Sequence, residues 1–321
     1  MRIISWNVNG IARRFAQLKE LIAEYQPDFV CIQKQRSKNV AKYDIDGYRL
    51  LADMCDFGGW SGVMTYWKNP LPDNAIPPIE MMPERIPTVR LSAGGHLQAY
   101  RCNGFILINA YAPFANPEID GAVNHRALWN KQLIELVKVI KDQAPIVICG
   151  DLNIVDCHID THSGKAVKNQ PCYNVWEHRD FDELKHIGNL VDSFRALNPD
   201  EVKYTYFYDG LAQLLNDGDR IDYALVSKSL MPHVTKADIF DEVDAQSCPI
   251  ILEFNLLEKA AETKEAVEET PSSYPDTISV QEAARWMARL AACDGAISST
   301  ERKILSQFAK NFGLDSDFFN R

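Results

Sequence analysis

Four short clusters in the 321-residue chain carry side chains able to do chemistry. Ser5-Trp6-Asn7-Val8-Asn9-Gly10 runs an apolar stretch into two amides, each offering a donor and an acceptor oxygen. A strand-to-turn boundary accounts for the same residues. Asn109-Ala110-Tyr111-Ala112-Pro113 presents Tyr111 at a strand end. Ile146-Val147-Ile148-Cys149-Gly150-Asp151-Leu152-Asn153 runs a buried strand into Gly150 and then sets Asp151 and Asn153 two residues apart. That spacing places both side chains on one side of an extended strand end. Asp151 can then serve as a base or metal ligand, and Asn153 can hold a phosphate oxygen or a water. An Asx turn is the structural alternative. The fourth cluster, Asp219 to Ser227, opens a strand with Asp222, which by itself is equally well a turn carboxylate.

These clusters need strands to position them. Runs rich in Val, Ile, Tyr and Phe, bounded by Gly, Pro, Asn and Asp, predict strands at 2–6, 29–33, 62–67, 97–101, 105–110, 146–149, 204–207, 222–226, 236–240 and 250–255. Helical periodicity predicts helices at 11–25, 125–143, 181–187 and 192–197. In the first of these Leu18, Leu21 and Ile22 share a face, with Phe15 close by. The mixture implies sheets packed face to face with helices outside.

The composition changes after residue 256. Residues 257–275 are charged, poor in large apolar side chains, and end in Pro and Ser, as a solvated linker does. Residues 276–321 then read as a helical hairpin. Ala283, Trp286, Met287 and Leu290 line one stripe, Gly295 ends the first helix, and Ser298 with Glu301 makes a capping box for the second. Such a hairpin is too small to be stable alone, so it docks, dimerises or binds a protein partner.

In their order, these motifs resemble the exonuclease III / apurinic-apyrimidinic endonuclease branch of the endonuclease–exonuclease–phosphatase superfamily. The resemblance covers residues 1 to about 256. It rests on S-W-N-V-N-G at 5–10, C-I-Q at 31–33, W-S-G-V at 60–63, N-A-Y-A-P at 109–113 and G-D-L-N at 150–153. L-V-D-S-F-R at 190–195, R-I-D-Y at 220–223 and C-P-I at 248–250 complete it. It implies an α/β fold, a four-layer α/β/β/α sandwich of mixed sheets, with a small C-terminal α-helical module added. Residues 279–312 are similar to TerB-like helical modules through A-x-x-D-G-x-I-S-x-x-E at 291–301. Asp294 and Glu301 there are two carboxylates, a thin set for a cation.

The resemblance also implies roles. Asn7 lies beside the metal and phosphate, with Asp151 as the other retained residue able to reach the metal. Tyr111 contacts the scissile phosphate, Asp151 orients or deprotonates the attacking water, Asn153 supports it, and Asp222 orients a catalytic histidine. The cofactor implied is Mg²⁺ or Mn²⁺, and the substrate is DNA or RNA. The sequence departs from the pattern at decisive places. Lys34 stands where the family's metal-binding glutamate is expected. Gln246 and Ser247 stand where the aspartate and histidine precede Cys248-Pro249. Asp219 replaces the tryptophan before R-I-D-Y.

Mg²⁺ requires hard anionic oxygens, and an ammonium repels it. A lysine can take the cation's place and hold a phosphate, but it cannot lower a water's pKa as a metal does. Three functions compete at this point. The first is a degenerate family member that binds nucleic acid or another phosphate ligand without turnover. The second is an active metal-dependent phosphodiesterase rebuilt around other ligands, with His158 and His162 nearest in sequence. The third is a scaffold whose C-terminal hairpin recruits a partner.

The remaining features bound the setting. A net charge of −10 makes the chain a poor non-specific polyanion binder as a whole, though not in every patch. Its eight cysteines form no C-x-x-C pair, so buried free thiols in a reducing compartment are expected. The first residues lack a charged lead followed by an apolar signal stretch. No apolar run reaches the roughly 18 residues of a membrane helix. A cytoplasmic location is expected.

Overall fold

The computed structural model describes residues 1–53, 61–68, 95–102, 104–162, 170–243 and 246–255. The linker expected at 257–275, the helical module expected at 276–321 and Trp60 of the W-S-G-V motif lie outside these residues.

One sheet holds six strands: β1 (Arg2–Asn7), β2 (Phe29–Gln33), β3 (Tyr48–Asp53), β4 (Val63–Lys68), β12 (Val234–Ile239) and β13 (Ile250–Phe254), in the order β12-β13-β1-β2-β4-β3. The other holds β5 (Leu97–Cys102), β6 (Phe105–Tyr111), β7 (Ile146–Asp151), β8 (Leu190–Asp192) and β11 (Asp222–Ser227), ordered β5-β6-β7-β11-β8. The β1–β2 and β6–β7 pairs are parallel and the remaining pairs antiparallel, so both sheets are mixed. A two-stranded ribbon joins β9 (Tyr206–Phe207) to β10 (Gly218–Asp219).

The helices cover the outer faces. α1 (Ile11–Tyr25) lays Ile11, Leu18 and Ile22 on the six-stranded sheet, and Gln26 in the left-handed region, followed by Pro27, ends it. α2 (Ala122–Ile140) and α3 (Val175–Ile187) cover the five-stranded sheet through Trp129, Leu133, Val137, Phe181 and Leu184. Between the sheets lie Phe29, Tyr100, Phe105, Leu107, Val147, Val226 and Phe254. The molecule is therefore the four-layer α/β/β/α sandwich expected of its sequence.

The helix expected at 181–187 begins six residues earlier, at Val175, where the Glu177 carboxylate reaches back to the Asn174 amide. α4 (Ser193–Leu197) is capped by the Asp192 side chain, and a further short helix, α5 (Gly210–Leu214), is capped by Asp209.

A polar seam crosses the apolar space between the sheets. Gln33 Nε2 donates to Ser5 Oγ at 2.9 Å and to Asn109 Oδ1 at 2.8 Å. Asn109 Nδ2 donates to Thr65 Oγ1 at 3.0 Å, and Thr65 donates to Gln98 Oε1 at 2.7 Å. Buried polar groups are tolerated only when bonded, so this seam fixes how one sheet sits on the other.

Candidate active site

Strand register assembles the site. In the five-stranded sheet, Tyr111 pairs with Asp151, and Asp151 pairs with Asp222. Three adjacent strand ends thus line up Tyr111, Asp151 and Asp222 in one row. In the facing sheet Asn7 pairs with Gln33, and Lys34 follows directly. Gly150 makes the row possible. Its φ is +149°, and a Cβ there would lie 1.8 Å from the Ala110 carbonyl oxygen, so only glycine lets β6 and β7 approach.

Side chains then cross the gap between sheets. Asn7 Nδ2 donates to Asp151 Oδ2 at 2.7 Å, while Asn7 Oδ1 accepts the Asn9 amide at 3.0 Å. Asp151 Oδ1 accepts the Asn153 amide at 2.9 Å, and Asn153 Nδ2 donates to the Ala112 carbonyl at 2.8 Å. Asn153 adopts the left-handed conformation, φ +45°, so G-D-L-N does contain the Asx-type turn, with its carboxylate facing the cleft. Asn7, Tyr111, Asp151, Asn153 and Asp222, spread over more than half of the sequence, are brought together here.

Burial pushes the Asp151 carboxyl up to about 6, against the opposing pull of the Asn153 amide, Asn7, Lys34 and Arg126. Burial also raises Asp222 well above the usual carboxylate range, and the neighbouring Asp151 charge raises it further. Thr205 Oγ1 accepts the amides of Ile221 and Asp222, both at 3.0 Å, and fixes the start of β11.

The substituted positions lie beside the same cluster. Lys34 is half-buried, with φ +55°, and its Nζ lies 6.0 Å from the centre of the Tyr111 ring. Burial lowers its pKa, while the Asp151 charge raises it. Ser247 is buried beside Asp222 and is held there by Trp6 Nε1, which donates to its carbonyl at 2.6 Å. Its hydroxyl lies close enough to the Asp222 carboxylate to oppose the burial-driven rise in its pKa, though without full hydrogen-bond geometry. Ser247 Oγ and Asp222 Oδ2 are both buried without a partner. Gln246 Oε1 accepts Asn9 Nδ2 at 2.9 Å. His158 is exposed in a 3₁₀ turn, and His162 is tied by its backbone to Gly218. No hydrogen bond joins either imidazole to the cluster.

Two supporting residues escape sequence reasoning. Arg126 of α2 is buried and donates Nη1 to the Pro113 carbonyl at 3.0 Å and Nη2 to the Leu152 carbonyl at 2.8 Å. It thereby ties together the two loops that carry Tyr111 and Asp151. His96 stacks on Tyr111, ring centres 5.2 Å apart, and its Nδ1 bonds the Tyr111 carbonyl at 2.9 Å. Burial holds the His96 imidazole down at about 4, so it is neutral above that. No local sequence signal marks either residue.

A divalent metal, used by this fold's nucleases, fits these residues poorly. Both Asp151 oxygens and Asn7 Oδ1 already accept hydrogen bonds, and the lysine beside them supplies positive charge. Among the described residues no group of three or more His, Cys, Asp or Glu side chains is placed to hold a metal.

The comparisons with known proteins agree with this fold. The pattern of the Endonuclease/Exonuclease/phosphatase family matches residues 4–244. The chain is 31% identical over 267 residues to recombination repair protein 1 of Drosophila melanogaster, covering 80% of this chain and 37% of that protein. It is 26% identical over 263 residues to an exodeoxyribonuclease of Bacillus subtilis, covering 80% of this chain and 100% of that one. It therefore spans little more than a third of the fly protein but the whole bacterial one. Its fold is shared with the 3′ phosphatase NExo from Neisseria, solved bound to a product DNA hairpin, at a TM-score of 0.70 and 22% identity, over 79% of this chain and 99% of that one. By the extent of the matched pattern, this chain belongs to the Endonuclease/Exonuclease/phosphatase family.

Proposed function

We propose that this chain is an exonuclease III/AP-endonuclease-like protein with a degenerate catalytic site, which binds nucleic acid or another phosphate-bearing ligand and hydrolyses it weakly or not at all. The observation that carries this reading is the end of the catalytic row. Asp222 points at Ser247, and neither the carboxylate Oδ2 nor the hydroxyl has a partner. A histidine in place of Ser247 would give Asp222 a group to orient, and the serine is too short to replace it. General acid–base and charge-stabilising groups are each typically worth about 10²-fold or more in rate. Gln246 removes a further negative charge, and its amide is engaged with Asn9.

A second reading has one observation in its favour. Asp151, with a pKa near 6, is suited to act as a general base at neutral pH, as an active metal-dependent DNA phosphodiesterase requires. The C-terminal segment 276–321 is read as a tethered helical module for a protein partner, on its sequence pattern alone.

The deciding experiment is cleavage of a fluorescent abasic-site duplex with Mg²⁺ or Mn²⁺, against an EDTA control and Asp151→Ala. The wild type is expected to match both controls, and the triple variant Lys34→Glu, Gln246→Asp, Ser247→His to regain metal-dependent cleavage. Wild-type cleavage that needs both the metal and Asp151 would establish the second reading instead.

A further inference from the structure

Lys34 sits on backbone that cannot drift. Its carbonyl accepts the Gly10 amide at 2.9 Å, and on the other side the amides of Gln35 and Arg36 donate to the carbonyls of Gly62 and Ser61 at 3.0 and 3.1 Å. The segment after β2 is thus clamped between two stretches of chain, with Lys34 held in the left-handed region. From there its side chain reaches the cleft, near the Tyr111 ring and within the field of Asp151. A solvated surface lysine needs no such placement.

The charges of the cleft balance around it. Asp151, once ionised, offsets Lys34. An ammonium beside the Asp151 carboxylate tolerates an incoming anion, whereas a further carboxylate at position 34 would repel it. Donors are also waiting: the Lys34 ammonium, the Tyr111 hydroxyl and, at the far end of the row, the unpartnered hydroxyl of Ser247. The Asp151 and Asn7 oxygens already accept hydrogen bonds from Asn7, Asn9 and Asn153, and the Lys34 ammonium sets a positive charge beside them.

We propose that the Lys34 ammonium is the resident cation of this cleft, holding a phosphate ester of a nucleic-acid strand with no divalent metal. This rests on the binding function proposed above. Lys34 supplies a fixed point charge to the phosphate oxyanion, as lysines do in other phosphate sites. It leaves the water of the site unactivated, so binding and hydrolysis separate.

The test uses the full chain and fluorescein-labelled single-stranded oligodeoxynucleotides ending in a 3′-phosphate or a 3′-hydroxyl, read by anisotropy in EDTA and in Mn²⁺. Direct Mn²⁺ binding is followed by electron paramagnetic resonance, and folding of each variant by circular dichroism. The wild type is expected to bind equally well with and without the ion, to within about twofold, and to leave Mn²⁺ free. Lys34→Met is expected to weaken binding in EDTA by about tenfold or more while remaining folded, and Lys34→Arg to lose less. Lys34→Glu is expected to take up Mn²⁺ and to bind the strand only when the ion is present. Preference for the 3′-phosphate end points to a terminal monoester, and equal binding of both ends to an internal diester; either is compatible with Lys34 as the cation. Wild-type uptake of Mn²⁺ with a matching gain in affinity would overturn the proposal. So would unchanged binding by folded Lys34→Met, or no binding of either strand. Cleavage of the abasic duplex would instead remove the non-hydrolytic reading and leave the Lys34 result to be judged separately.

Discussion

Asp151 accepts donors on both oxygens, yet burial still raises its affinity for a proton. Its pKa is raised to about 6 in the folded chain, above its ordinary 3.8. The folded state therefore binds this proton more tightly than the unfolded state. The resulting stabilisation is complete below about pH 4 and is lost as pH rises through about 6. At about 1.4 kcal/mol per unit of pKa, the change across that window is on the order of 2–3 kcal/mol. Urea-unfolding free energies of the wild type and Asp151→Asn, compared between those pH values, are expected to diverge in that sense. Parallel profiles would mean that Asp151 titrates as an exposed carboxylate does. Most of the side chains in this row were legible in the sequence, because motif order identified Asn7, Tyr111, Asp151, Asn153 and Asp222. The orphaned contact between Asp222 and Ser247 was legible only as a missing histidine. That the two groups face each other unbonded depends on Trp6 holding the Ser247 carbonyl, 241 residues away in sequence.

Among elements, α2 does more than cover a sheet. Its Arg126 donates to two loop carbonyls, bonds Asn130 at 2.8 Å, and lies 3.9 Å from the buried Glu177 of α3. Replacing Arg126 with Met would leave the buried Glu177 without its cationic partner and two carbonyls without donors. A loss of about 3–5 kcal/mol is expected, measured by denaturant midpoint, together with weaker oligonucleotide binding as the loops bearing Tyr111 and Asp151 come apart. A change of a few tenths would show that the loops hold themselves. In sequence such an arginine reads as solvent-facing, since nothing local signals that loops 13 and 26 residues away fold back onto it. α1 was legible to its last residue because its apolar spacing and the following Gln-Pro agree. β3 was not, because Tyr-Arg-Leu-Leu-Ala-Asp has no clean alternation and gains its strand form by pairing with β4.

At the scale of the molecule, charge limits how it can meet a polyanion. A chain of net charge −10 cannot rely on a broad basic face, so attraction must be local. Counterion release scales with the number of phosphates neutralised, at a slope of about 0.7 per contact for single strands. Binding that depends on Lys34 with little help is expected to show a log–log salt slope of about −1. A slope steeper than about −4 would reveal a basic surface outside the cleft.

The seam of Ser5, Gln33, Asn109, Thr65 and Gln98 runs up to the site, since Gln33 pairs with Asn7 and directly precedes Lys34. It locks the two sheets in one alignment, and it uses neither Lys34 nor Gln246 nor Ser247. The scaffold is thus keyed independently of the three substituted side chains. A protein built this way can exchange its chemistry without losing its shape, and the cleft is a fixed mould into which different charges can be set.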